Sequence, residues 1–181
     1  MKETNSLTDL NLSLNRIGKE GSRELSESLV LNKSLTKLNL GMNKIENDAK
    51  QILASLRLNH TLRYLNLGYN KIKDEGLGDL CSLMENNHAL THLNLGYNKL
   101  ESTCENKFLD LIQSNSTLLF LGLNGNKINT KTLNKIKSLL ECNKKILKQK
   151  ISLLILRKNS SCILSKLPRR LLIFTFTFLK K

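Results

Sequence analysis

Three histidines and four cysteines carry the widest chemical repertoire in this chain, and their spacing decides how much of it is usable. A histidine can serve as general base to a serine or cysteine nucleophile held within hydrogen-bond reach. None of His60, His88 and His92 is accompanied by a serine or cysteine in a recognisable nucleophile motif. Cys81, Cys104, Cys142 and Cys162 form no C-x-x-C pair and have no histidine at metal-ligand spacing, so neither a zinc site nor a redox motif is indicated. Free thiols are the expectation, with Cys104 serving as a small hydrophobe at a periodic apolar position. No catalytic residue, cofactor or metal ligand is assigned, and of the function classes considered an enzyme has the least support.

A different chemistry repeats at a fixed interval. Asn15, Asn43, Asn70, Asn98 and Asn126 each precede a basic residue, namely Arg16, Lys44, Lys71, Lys99 and Lys127. An amide side chain both donates and accepts, so stacked asparagines can tie adjacent turns of backbone together. This structural reading outweighs that of a ligand-binding asparagine row. The basic row could meet phosphates or an acidic partner. Solvated edge lysines account for it better, because acidic residues nearly balance charge over this part of the chain.

The elements that must position these residues follow from a repeat. LTDLNLSLNRI from Leu7, LTKLNLGMNKI from Leu35, LRYLNLGYNKI from Leu62, LTHLNLGYNKL from Leu90 and LLFLGLNGNKI from Leu118 share L-x-x-L-x-L-x-x-N-x-(I/L). Successive units start about 28 residues apart, one interval being a residue shorter. The L-x-L part alternates as a short strand does, placing Leu10 and Leu12 and their counterparts on a buried face. The period then turns helical over Glu20 to Leu31, where Gly21, Leu25 and Leu29 form one apolar stripe. Ala49, Ile52 and Leu56 repeat the stripe, as do Gly76, Leu80 and Met84; Cys104, Phe108 and Ile112; and Thr132, Ile136 and Leu140. The residue missing from the second repeat is expected in a helix end or loop, which tolerates it more easily than a strand. One unit cannot bury both apolar faces alone, so neighbours must stack, strands on one side and helices on the other. Helices are wider than strands, so the stack bends with its strands on the concave side.

At these residues the sequence resembles the ribonuclease-inhibitor-like class of leucine-rich repeats, found also in cytosolic immune receptors and Ran GTPase-activating proteins. The resemblance covers residues 6 to 144. It implies an α/β fold, a right-handed solenoid forming a short curved arc of five strand-helix repeats with parallel strands on the concave face. It also implies a protein-binding role for that face, without specifying a partner. No G-x-x-x-x-G-K-S/T loop occurs, so the nucleotide-binding module of the immune receptors is missing, and no polar cap precedes the first repeat.

Over this frame one position per rung varies most: Asp9, Lys37, Tyr64, His92 and Phe120. Beside it runs a second row of Leu14, Met42, Tyr69 and Tyr97, ending at Gly125. Lys37, Tyr64, Tyr69, His92, Tyr97 and Phe120 are the candidate partner-binding residues, the aromatics serving as anchors and, save Lys37, forming one cluster outside the core. The competing reading is that the tyrosines only cover the strand-to-loop edge. Five strands about 4.8 Å apart span only about 20 Å, room for one partner protein.

The formal charge of +14 resolves along the chain. Residues 1–144 hold 19 basic and 15 acidic side chains, whereas residues 145–181 hold 10 basic and no acidic ones. The solenoid is therefore a poor candidate for nucleic-acid binding. Any nucleic-acid or anionic-membrane binding is expected to be peripheral and to reside in the tail. The tail from Lys145 lacks the asparagine and the L-x-L strand, and is expected to be a degenerate sixth unit capping the core. Farther on, LPRRLLIFTFTFL from Leu167 to Leu179 loosely resembles the opening of an F-box, although Arg170 stands where an acidic residue is usual. That resemblance implies an alternative role, an adaptor recruiting ubiquitin-ligase machinery. The first twenty residues are charged throughout and hold no apolar signal core, so the cytoplasm is the expected compartment. The leading expectation is a cytoplasmic protein-interaction scaffold.

Overall fold

The computed structural model describes residues 6–78 and 80–157. Five three-residue strands, β1 (Asp9–Asn11), β2 (Lys37–Asn39), β3 (Tyr64–Asn66), β4 (His92–Asn94) and β5 (Phe120–Gly122), pair in chain order as one parallel sheet. Pairing is residue for residue throughout, from Asp9 opposite Lys37 to Asn94 opposite Gly122. The shorter interval between Leu35 and Leu62 leaves the register of β2 and β3 intact, so its missing residue lies outside the strands.

Each strand is followed by helical backbone that crosses to the other layer, a right-handed connection as parallel strands require. Helix α1 (Lys19–Leu31) is continuous. In the next three repeats a 3₁₀ turn comes first, at Glu46–Asp48, Asp74–Leu77 and Ser102–Cys104, ahead of α2 (Ala49–Ser55), α3 (Leu80–Glu85) and α4 (Glu105–Ser114). Before α3 the break is sharpest, because Gly78 has a φ of 56°, outside any helix. A 3₁₀ turn advances the chain faster per residue than an α-helix, so short helices still span the layer.

The core lies between the layers. Leu38, Leu65, Leu93 and Leu121, then Leu40, Leu67, Leu95 and Leu123, stack inward from successive strands, with Ile45, Ile72, Leu100 and Ile128 behind them. The helices cover this stack with the anticipated stripes, and Phe108 of α4 is the largest side chain completely enclosed. In the first repeat Leu10, Leu12 and Ile17 are only half-buried, since no described rung precedes them.

The last helix, α5 (Thr130–Arg157), departs from the expectation of a sixth unit. Residues 145–157 continue the helix begun in the fifth repeat, and among the described residues there is no sixth strand. The cause is compositional: no glycine or proline lies between Thr130 and Arg157, and Lys, Leu, Ile and Gln extend a helix readily. The F-box-like segment from Leu167 to Leu179 lies outside the described residues.

Two asparagine ladders tie the rungs together. At the strand-to-helix turn, Asn70 Nδ2 donates to the carbonyls of Leu40 at 2.9 Å and Leu67 at 3.1 Å. The Oδ1 of Asn98 in turn accepts from the backbone N–H groups of Asn70 at 2.9 Å and Ile72 at 3.1 Å. Asn43 and Asn126 make the equivalent bonds, whereas exposed Asn15 bonds only to carbonyls of its own rung. A second ladder at the helix-to-strand turns comprises Asn32, Asn59, Asn87 and Asn115, and Asn143 within α5 extends it to the last rung. Asn87 Nδ2 donates to Leu56 and Asn59 carbonyls at 2.7 and 3.0 Å, while its Oδ1 accepts from Ala89 and Leu90 at 3.0 and 2.8 Å.

Replacing Leu67 by Ala should lower stability by about 2 to 5 kcal/mol, through lost transfer energy and the cavity left behind. Asn87→Ala should cost about 2 to 4 kcal/mol, because four buried backbone groups lose their partner. Guanidinium titration checks both, and a wild-type midpoint for either variant would contradict the packing described.

Candidate functional site

The outward face of the sheet has no covering layer among the described residues, and its rows follow from strand alternation. Asp9, Lys37, Tyr64, His92 and Phe120 stand side by side across the five strands. At one end Lys37 Nζ lies 3.0 Å from Asp9 Oδ1, an exposed ion pair of the sort that contributes about 1 kcal/mol at most. At the other end the rings adjoin: Tyr64 is tilted against His92 with 6.2 Å between centroids, and His92 stacks on Phe120 at 5.9 Å.

Two residues farther along each strand, Asn11, Asn39, Asn66 and Asn94 form a polar row that the sequence reading passed over. Each Oδ1 accepts from the N–H two residues on, at 2.9 to 3.0 Å, and Asn66 Nδ2 donates to Asn39 Oδ1 at 2.8 Å. Gly122 replaces asparagine on the fifth strand.

Beyond this row the backbone turns left-handed. Leu14, Met42, Tyr69, Tyr97 and Gly125 have φ of 60°, 56°, 57°, 54° and 74°. A non-glycine residue costs about 1 to 2 kcal/mol in this conformation. Each is held there by its own N–H, which donates to the next rung: Leu14 to Gly41, Met42 to Gly68, Tyr69 to Gly96 and Tyr97 to Asn124. The conformation turns the four side chains outward, leaving Leu14 75%, Met42 46%, Tyr69 47% and Tyr97 53% exposed. Tyr69 and Tyr97 stack at 4.3 Å with their planes 7° apart, which shields Tyr69 and raises its hydroxyl pKa above the usual value. Gly125 completes the row as a necessity, since a side chain there would run into the Tyr97 ring.

The candidate aromatics thus fall into two groups, Tyr64–His92–Phe120 and the stacked pair Tyr69–Tyr97. No ring contact among the described residues joins them. The single cluster read from the sequence is corrected by the asparagine and glycine rows lying between the groups. Arg16, Lys44, Lys71, Lys99 and Lys127 are all exposed in the turns, and Lys127 Nζ pairs with Glu101 Oε1 at 2.9 Å.

The remaining reactive groups are placed away from this face or are quiet. His60 and His88 sit exposed at helix-to-strand corners. Cys104 is enclosed in the core, donates to the Glu101 carbonyl at 2.9 Å, and has its pKa pushed up to about 12 by burial with Asp74 adding to the effect. That thiol is no nucleophile at neutral pH. Among the described residues no group of histidine, cysteine and carboxylate side chains could hold a metal ion, and no helix is long and apolar enough to cross a membrane.

Five such rungs on a parallel sheet, with their consensus leucines inward and asparagines in the turns, define a leucine-rich-repeat solenoid, an open arc that does not close into a barrel. The chain carries leucine-rich repeats by sequence as well as by fold. The family model described as Leucine Rich repeat matches residues 5–26, 31–49, 58–81 and 86–103. Among solved structures, leiomodin-1 actin-binding site 2 is similar, at 24% identity and a TM-score of 0.73 over 84% of this chain and 89% of that one. The tropomodulin C-terminal domain of Caenorhabditis elegans is similar at 21% identity and a TM-score of 0.71, over 86% of this chain and 92% of that one. At these identities the likeness is one of fold. No curated protein sequence matches the chain.

His92 gives the face a measurable pH dependence. Burial lowers its pKa from the ordinary 6.5, and the charge of Lys144 on α5 lowers it further. The folded chain therefore holds the neutral imidazole, and the unfolded chain takes up the proton at higher pH. Stability should be full above about 6.5 and decline as pH falls from there through the folded value. Glu20, Glu105 and Glu141, whose pKa values are lowered from 4.5, titrate below this window. Denaturant midpoints on either side of pH 6.5 should differ less for His92→Phe than for the wild type; equal differences would remove His92 as the cause.

Proposed function

We propose that the chain is a protein-interaction scaffold whose concave strand face receives a partner protein. The observation that carries this reading is the set of large apolar side chains on the uncovered face. Met42, Tyr69, Tyr97 and Phe120 are each 45% exposed or more, and three of the four are aromatic. Folding alone gives no gain from placing such residues outward, least of all in a left-handed backbone, whereas a partner that covers them removes their apolar surface from water. Exposed aromatics in two neighbouring groups on a rigid sheet suit the anchors of a protein interface.

Actin is the first partner to test. The leiomodin-1 domain that shares the fold is an actin-binding site, and the likeness spans most of both chains. A cytoplasmic location and a role without catalysis belong to the same proposal. The acidic-partner reading of the turn lysines has less behind it, since they are spread along one edge and Lys127 already pairs with Glu101.

Cosedimentation with purified filamentous actin and calorimetry with monomeric actin test the partner. Tyr64→Ala and Tyr97→Ala should each weaken binding by about tenfold or more while the thermal midpoint stays near wild type, whereas Lys44→Ala and Lys127→Ala should bind almost normally. Loss of binding in the lysine variants with normal binding in the tyrosine variants would move the site to the basic edge. An intact chain that binds neither form of actin would remove actin as the partner, and the same four variants would then be compared on a partner captured with the intact chain.

A further inference from the structure

We infer that Asn124 is a site of spontaneous covalent modification, in which its side-chain amide is lost through a succinimide and the backbone beside Tyr97 is rebuilt as aspartate or isoaspartate. Asn124–Gly125 is the only Asn-Gly pair in the sequence, and it arises because the last rung differs from the others at both positions. Earlier rungs carry Ser13, Gly41, Gly68 and Gly96 where Asn124 stands, and Leu14, Met42, Tyr69 and Tyr97 where Gly125 stands.

The reaction needs a peptide nitrogen that can attack the preceding side chain, and the ladder withholds that nitrogen on every rung but this one. The N–H groups of Leu14, Met42, Tyr69 and Tyr97 are each donated to the following rung. Among the described residues no rung follows Gly125, and its N–H has no acceptor there. Asn124 and Gly125 are both exposed, and the Asn124 amide makes no hydrogen bond with another described residue. Gly125 also lacks the side chain that would hinder attack, and a side chain at this position would run into the Tyr97 ring.

The chemistry balances with water alone. A base removes the Gly125 N–H proton, and the nitrogen attacks Cγ of Asn124. The N–Cγ bond forms, the Cγ–Nδ2 bond breaks, and ammonia leaves. Water then opens the imide at either carbonyl: cleavage of N–Cγ gives aspartate, and cleavage of the main-chain N–C bond gives isoaspartate, whose backbone is one methylene longer. Both products place a carboxylate where a neutral amide stood. The Asn124 carbonyl accepts the Tyr97 N–H at 2.6 Å, so the longer backbone of isoaspartate disturbs the bond that fixes Tyr97 in its left-handed conformation.

The test ages the folded full-length chain in mildly alkaline buffer beside the same chain in urea, followed by peptide mapping. The expected result is a mass gain of one dalton at Asn124, faster at higher pH, with the peptide a substrate for isoaspartate methyltransferase. An ordinary fold keeps fewer than about one chain in a thousand unfolded, so conversion through unfolding would be slower than in urea by about that factor. A native rate within about a hundredfold of the urea rate supports modification of the folded rung; a slower rate, or none, overturns it. Hydrogen exchange at the Tyr97 amide should quicken in the aged wild type and stay unchanged in aged Asn124→Gln, and equal behaviour would separate the modification from any effect on Tyr97.

Discussion

At each end of a strand the backbone of this solenoid bends across the core, and there its carbonyl and N–H groups face leucine and isoleucine side chains instead of water. An unpaired backbone group in such a place costs about 1 to 3 kcal/mol, and the groups recur on every rung. The two asparagine ladders remove that cost, the amides from the second rung of each ladder onward serving their own rung and the one before. Asn70, Asn59, Asn87 and Asn115 are almost wholly enclosed, yet every buried side-chain nitrogen and oxygen among the described residues has a partner. Because each amide reaches its neighbour only at one offset, the ladders also set the register in which the rungs stack.

Register is what turns a repeat into a surface. Once Asp9, Lys37, Tyr64, His92 and Phe120 are held in line, the variation among them becomes a gradient along one face, from an ion pair at β1 to stacked rings at β4 and β5. The left-handed row has the same origin. Met42, Tyr69 and Tyr97 stay in a conformation their side chains disfavour because the next rung's carbonyl accepts the N–H, which is the arrangement in which local strain persists. Exposure of the aromatics is thus tied to stacking of the rungs, and a change that loosens the ladder reaches the face without touching it.

This division explains which features could be read in advance. The inward leucines, the helical stripes and the first asparagine row are repeated side-chain choices, and repetition makes them visible. The second ladder repeats too, three residues before each unit from the second to the fifth, but falls between the strand pattern and the helix pattern and belongs to neither. Left-handed backbone at Leu14, Met42, Tyr69 and Tyr97 was not legible, because these residue types argue against it and only the carbonyl of the next rung enforces it. The offsets of Asp9, Lys37, Tyr64, His92 and Phe120 match the strand register, whereas the separation of the aromatics into two groups depends on side-chain reach across the Asn66 and Gly68 positions. The course of α5 through Lys145 was obscured for the opposite reason: loss of the repeat signalled an end, while the helical propensity of the same residues carried the helix on.

The two edges of the last rung are finished differently. On the helix edge, Asn143 donates to the Asn115 and Leu118 carbonyls at 2.9 Å, and Ile136 and Leu140 are buried against the end of the core. Helix α5 therefore closes that ladder from within the fifth repeat. On the strand edge, Asn126 completes its bonds backward to Leu95 and Asn98, and no described rung lies beyond β5 to use the groups on its far side. Free energy for local opening is lowest where neighbours are fewest, so the two outer rungs, at β1 and at β5 with its Asn124–Asn126 turn, open more readily than those between them. That turn also carries the support of Tyr97. The aromatic end of the face is consequently built on outer-rung backbone, as is its charged end, where Leu10 and Leu12 of the opening rung are only half-buried.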